Sequence, residues 1–109
     1  MKYVKFFFLF TALLVFAGCA NEKEAREGYI LQVNDDSVLV AQDINLARYE
    51  EVKDLNQNEW TKEEGLKLIS LRYDKAREYK EGDHILFWID GVVAESYPEQ
   101  ATAKEIRLK

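Results

Sequence analysis

Alternation of apolar and polar positions organises most of the chain after residue 28. Tyr29, Leu31 and Val33 alternate with Ile30 and Gln32, which predicts a strand over 28–33 with those three on one face. Asn34-Asp35-Asp36-Ser37 is a turn cluster, and Val38–Gln42 reads as the second arm of a hairpin. The period then lengthens. Leu46, Tyr49, Val52 and Leu55 recur about every three residues within a stretch rich in Glu, Lys and Asn, which predicts helix. Thr61-Lys62-Glu63-Glu64 fits a capping box with Thr61 as N-cap, and Gly65 keeps that helix short.

Alternation returns at Ile69, Leu71 and Tyr73, a third strand. After the turn Glu81-Gly82-Asp83, residues 84–89 form a fourth, with Ile85, Phe87 and Ile89 on one face and Leu86 and Trp88 on the other. Both faces are apolar, as in a strand covered on both sides. Asp90-Gly91 starts the next turn, and Thr102–Leu108 is the last strand, with Ile106 and Leu108 inward. Five strands with one helical insertion predict a mostly β domain, a small five-stranded OB-like barrel. A β-sandwich is too large for this length.

The first 18 residues follow another pattern. Lys2 and Lys5 precede an apolar run, Phe6–Ala17, broken only by Thr11, and small residues Ala17 and Gly18 follow. Basic, apolar, small is the order of a secretory signal. The run is short of the ~20 residues that span a bilayer. Phe16-Ala17-Gly18-Cys19 resembles the lipobox of bacterial lipoproteins, departing at Phe16, where Leu is usual. That resemblance implies cleavage before Cys19 and lipidation of its sulfur. Each buried methylene contributes about 0.8 kcal/mol, so two or more acyl chains anchor stably where one does not. The expected organisation is a signal peptide (1–18), a lipidated cysteine with polar tether (19–27) and a barrel domain (28–109). The eight residues Ala20–Glu27 reach about 26 Å fully extended. The expected location is the extracytoplasmic face of the cell membrane, with the membrane itself a partner through Cys19.

Charge narrows the partners. The chain has 15 basic and 20 acidic residues, and losing Lys2 and Lys5 leaves 13 against 20, a net charge of −7. An acidic domain repels phosphate backbones, so no nucleic acid is expected. A single cysteine makes no internal disulfide, and the domain must hold together by its core.

"GYILQVNDDSVLVAQDI" and "GDHILFWIDGVVAESYPEQATAKEI" resemble a family of small Gram-positive lipoproteins carrying a domain of unknown function (number 3221). The likeness is strongest at Gly82-Asp83, at Trp88–Gly91 and over Glu95–Ala101, and loose over residues 45–76. It implies an OB-like barrel on a surface lipoprotein. It brings no activity, ligand or catalytic residue.

Catalytic constellations are sparse. His84 is the only histidine, and it follows a turn at a strand start, where a solvent-facing or capping role suffices. With one histidine and a cysteine committed to the anchor there is no zinc ligand set, so neither metal nor cofactor is expected. Asn34–Ser37 lacks the ligand order and distal glutamate of a calcium loop. The richest segment is "WIDGVVAESYPEQ": Trp88, Asp90, Glu95, Tyr97 and Gln100 set two aromatics among three polar side chains, candidates for binding. Packing of Tyr97-Pro98 over a barrel end, with Trp88 filling the core, is the structural alternative. Two function classes follow. One is a non-catalytic binding module contacting an envelope protein or cell-wall polymer. The other is an envelope hydrolase using the carboxylates of Asp90 and Glu95, which requires them in one cleft.

Overall fold

The computed structural model describes residues 25–109, so the expected signal, cleavage site and lipidated Cys19 lie outside the described residues. Five strands, β1 (Arg26–Val33), β2 (Ser37–Gln42), β3 (Lys67–Arg72), β4 (His84–Ala94) and β5 (Glu99–Leu108), close into a barrel in the order β1-β2-β3-β5-β4. Neighbours are antiparallel except β3 and β5, which run parallel. Two short helices, α1 (Leu46–Val52) and α2 (Gln57–Lys62), fill the β2–β3 connection. The expected architecture, a mostly β five-stranded barrel with a helical insertion, is the one observed.

The barrel interior is aliphatic. Ile30, Val38, Val40, Ile69, Leu71, Ile85 and Phe87 are all fully buried there. Each contributes about 1.5–3 kcal/mol relative to exposure, which sustains a domain with no cross-link among its described residues. A 3₁₀ turn (Ala76–Glu78) between β3 and β4 adds Ala76 to this core. The Tyr79 hydroxyl, just after it, donates to the Ile106 carbonyl at 2.7 Å.

A second core lies outside the barrel wall. Leu31, Leu39, Ala41 and Leu68 point outward from β1, β2 and β3 and are buried by Val52 of α1, Trp60 of α2 and Leu66. Trp60 also donates its indole N–H to the Val52 carbonyl at 2.7 Å, fastening one helix to the other.

Several expectations need correction. The alternation in β1 is interrupted: Ile30 pairs with Val40 but Gln32 with Leu39, so Leu31 is an extra residue. This bulge turns Ile30 and Val33 into the barrel and Leu31 out to the helices, rather than setting Leu31 and Val33 on one face. The capping box forms at Asn56 and Glu59, not at Thr61 and Glu64. Thr61 lies inside α2, donating to the Asn58 carbonyl at 2.8 Å. Both tetrapeptides satisfy the motif, but a start at Asn56 is the one that buries Trp60. Leu46, the first residue of α1, is exposed. β4 does not turn at Asp90-Gly91; it runs on to Ala94, with Gly91 (φ +83°) absorbing the bend while Gly91–Val93 oppose a single residue of β5. Leu108 stands opposite Ile85 in register, yet is 65% exposed at the strand's end.

Candidate functional site

OB barrels bind their ligands on the outer face of strands 2 and 3, flanked by the β1–β2 and β4–β5 loops. In this chain α1 and α2 lie on that face and bury its outward side chains, Leu39, Ala41 and Leu68. What remains open is the wall made by β3, β5 and β4.

The register defines that wall. Val38, Leu71, Ala103 and Ile89 line the interior side, so their neighbours point out. Ser37, Arg72, Thr102 and Asp90 are successive partners across β2, β3, β5 and β4, one outward row. Ser70, Gln100 and Ala94 form a second row beside it. Facing side chains in such rows sit about 4.5–5.5 Å apart, close enough to touch one ligand together. A groove of about 440 Å³ runs over these rows, rimmed by Asp36 and Val92. Among the described residues, Arg72, Gln100 and Thr102 make no side-chain hydrogen bond or ion pair, so their polar groups are available.

The barrel mouth holds a different arrangement. Arg26, Gln42 and Glu99 continue the inward-facing positions of β1, β2 and β5 beyond the aliphatic core. Gln42 is the buried polar residue of the described chain, and both ends of its amide are satisfied. It accepts from Arg26 Nη1 at 3.3 Å and donates to Glu99 Oε1 at 3.2 Å. Tyr97 closes this groove of about 650 Å³, donating its hydroxyl to the Leu66 carbonyl at 2.6 Å. Partial burial raises the Tyr97 pKa above the usual phenol value.

At the same end of β1, the Glu27 carboxylate meets Lys109 Nζ and His84 Nε2, each at 2.8 Å. Lys109, then His84, hold the Glu27 pKa below the ordinary carboxylate value. The His84 ring also stacks on Tyr29 at 4.3 Å between centroids, and Tyr29 on Tyr49 at 5.3 Å. His84 thus fastens β4 to β1. Sequence alone gave no sign of the partner, because Glu27 and His84 are 57 residues apart.

The five candidates are spread over the molecule. Asp90 and Gln100 share the open wall. Tyr97 belongs to the mouth, and Glu95 is exposed in the β4–β5 turn. Trp88 is partly buried outside the core, under the Arg107 guanidinium at 5.1 Å, and lines a third groove of about 290 Å³ with Arg26, Ile89, Gly91, Val93 and Lys104. Asp90 lies on the outer wall and Glu95 in the exposed β4–β5 turn, and neither lines any of these three grooves. Among the described residues no cluster of three His, Cys, Asp or Glu side chains is placed to hold a metal ion. No helix among them is long and apolar enough to cross a membrane.

A family model described as "Protein of unknown function (DUF3221)" matches residues 27–108. No curated protein sequence matches the chain. The crystal structure of a yobA protein from Bacillus subtilis subsp. subtilis strain 168 is similar in fold, with a TM-score of 0.64 and 19% sequence identity. That match covers 78% of this chain and 92% of the other.

Proposed function

The chain belongs to the DUF3221 family, and from that premise we propose that it is a non-catalytic binding module held by a lipid on Cys19 at the extracytoplasmic face of the membrane. Its contact surface is the open β3–β5–β4 wall, and its partner is an envelope protein or cell-wall polymer. The observation that carries this reading is the outward row Ser37–Arg72–Thr102–Asp90 with Gln100 beside it. Among the described residues, Arg72, Thr102, Asp90 and Gln100 of these rows present unengaged donors and acceptors on a strand face that the helices leave uncovered. The anchor fits the same picture. The signal-like run ends at Cys19, and the tether enters the barrel at Arg26, so the mouth is the end nearest the membrane.

Two experiments test the two halves. The full chain is expressed in a bacterial host with labelled palmitate; label should enter the wild type and not Cys19→Ser. Label in the substituted protein rejects the anchor. Purified insoluble cell wall and detergent-solubilised envelope proteins then serve as separate baits, with wild type compared against Arg72→Glu and Gln100→Ala. Retention by one bait that is lost in both variants at unchanged thermal stability supports the wall as the contact. Retention untouched by either substitution rejects it.

A further inference from the structure

We propose that the free edge of β4, from Ile89 to Val93, accepts an extended acidic peptide as an added strand. β1 starts at Arg26, opposite Phe87, so β4 runs on past the end of its partner. Among the described residues, Ile89–Val93 have no backbone partner on the β1 side; Ile89 and Asp90 pair with Ala103 and Thr102 of β5, and Gly91–Val93 form the bulge. An unpaired edge is a template for another chain, and proteins blunt it with charged side chains, Pro or bulges; here Asp90 and the bulge at Gly91–Val93 are the blunting features. Ile89-Asp90-Gly91-Val92-Val93 carries no Lys or Pro, and the bulge leaves Val92 89% exposed.

The groove beside this edge supplies the selectivity. Among the described residues its lining contains two cations, Arg26 and Lys104, and no carboxylate. That is notable in a chain whose acids outnumber its bases by five. Lys104 makes no ion pair among the described residues. The Arg26 guanidinium donates only to the neutral amide of Gln42. Asp90 does not oppose an incoming acid, because its register with Thr102 turns it onto the outer wall. A Cβ at Gly91 would meet nothing within 4 Å, so the edge is open to an approaching backbone. Main-chain hydrogen bonds to the edge would supply affinity, and the two cations would select acidic side chains and set their register. A second copy is a poor occupant, since two-fold pairing brings Arg26 and Lys104 towards their own equivalents. This inference stands independently of the proposed wall contact.

The test is amide hydrogen exchange by NMR on the ¹⁵N-labelled full chain in detergent micelles. The probe is the blocked pentapeptide Val-Glu-Val-Glu-Val. Exchange of the Ile89–Val93 amides that face away from β5 should slow on adding it. The lysine counterpart Val-Lys-Val-Lys-Val should have no such effect, nor should the glutamate peptide N-methylated at alternate positions. Lys104→Glu should weaken the probe's affinity by about tenfold, as reversal of a charge facing the ligand does. Equal binding of the N-methylated peptide would overturn the proposal, as would no slowing at saturating probe. Protection already present without probe would overturn it too. If independent of protein concentration, that protection means residues upstream of Arg26 hold the edge; if it rises with concentration, a second copy does.

Discussion

The Tyr97 hydroxyl donates to the Leu66 carbonyl at 2.6 Å, tying the β4–β5 turn to the residue just before β3. The residue is 52% exposed. Tyr97 is therefore neither a free contact residue nor a core residue. Tyr97→Phe should cost about 0.5–1.5 kcal/mol, the net worth of one hydrogen bond. Tyr97→Ala should cost only slightly more, because about half of the residue is already in water. Thermal melts of both variants check this. A loss in Tyr97→Ala of more than about 3 kcal/mol, the scale of a buried aromatic, would contradict the half-exposed placement.

Trp60 should be the most expensive aromatic to remove. It is 7% exposed, holds the second core together and reaches the Val52 carbonyl through its indole. Trp60→Ala should cost about 3–5 kcal/mol. Trp60→Phe keeps much of the packing and leaves the Val52 carbonyl its bond from the Leu55 N–H, so it should cost about 0.5–1.5 kcal/mol, the net worth of one hydrogen bond. Urea denaturation followed by circular dichroism measures both. Equal stability of the two variants would show that the hydrogen bond, not the packing, is what the insertion depends on.

Two glycines should fail for different reasons. A Cβ at Gly28 would lie 2.5 Å from both the Ala41 oxygen and Val40 Cγ1, so β1 and β2 must move apart. Gly28→Ala should cost at least the 1–3 kcal/mol typical of overpacking. Gly91→Ala meets no atom and pays only for its left-handed backbone, of order 1–3 kcal/mol. The distinguishing measurement is structural: amide chemical shifts should move along β1 and β2 in Gly28→Ala and stay local to β4 in Gly91→Ala.

The Glu27 cluster predicts a pH dependence with a definite sign. Lys109 and His84 lower the folded-state pKa of Glu27. A depressed carboxylate contributes stability above its unfolded pKa, about 4.3, and loses it as pH falls through the folded value. Wild type should therefore melt above Glu27→Gln at neutral pH, with the gap closing below about pH 4.3. The carboxylate is more than a third exposed, so the gap should also shrink in salt. A gap that widens on acidification would refute the assignment.

The strands and the helical insertion were legible from periodicity because one side chain in two, or one in three to four, had to be apolar. Positions set by pairing between distant segments were not. Leu31 is an extra residue only by reference to β2, and no pattern within β1 announces it. The two capping-box tetrapeptides compete on equal local terms, and burial of Trp60 decides between them. Asp90-Gly91 has the composition of a turn, yet pairing with β5 on both sides of it carries the strand through. The candidate site shows the same limit. Trp88, Asp90, Tyr97 and Gln100 are close in sequence, but a strand, a turn and the next strand distribute them over three surfaces. The uncovered wall could not be foreseen without knowing which strand face the helices occupy.

The barrel is shut by Arg26–Tyr29 lying against His84–Phe87, and the last backbone amide, Lys109, bonds the His84 carbonyl at 2.8 Å. The first and last described segments thus meet at one seam. Closure joins residues almost sixty positions apart, the kind of remote pairing that slows folding to milliseconds or longer. No N-terminal portion can finish early while the rest of the chain is still being made. For the export proposed above, strand order alone holds barrel closure back until β4 and β5 have been made.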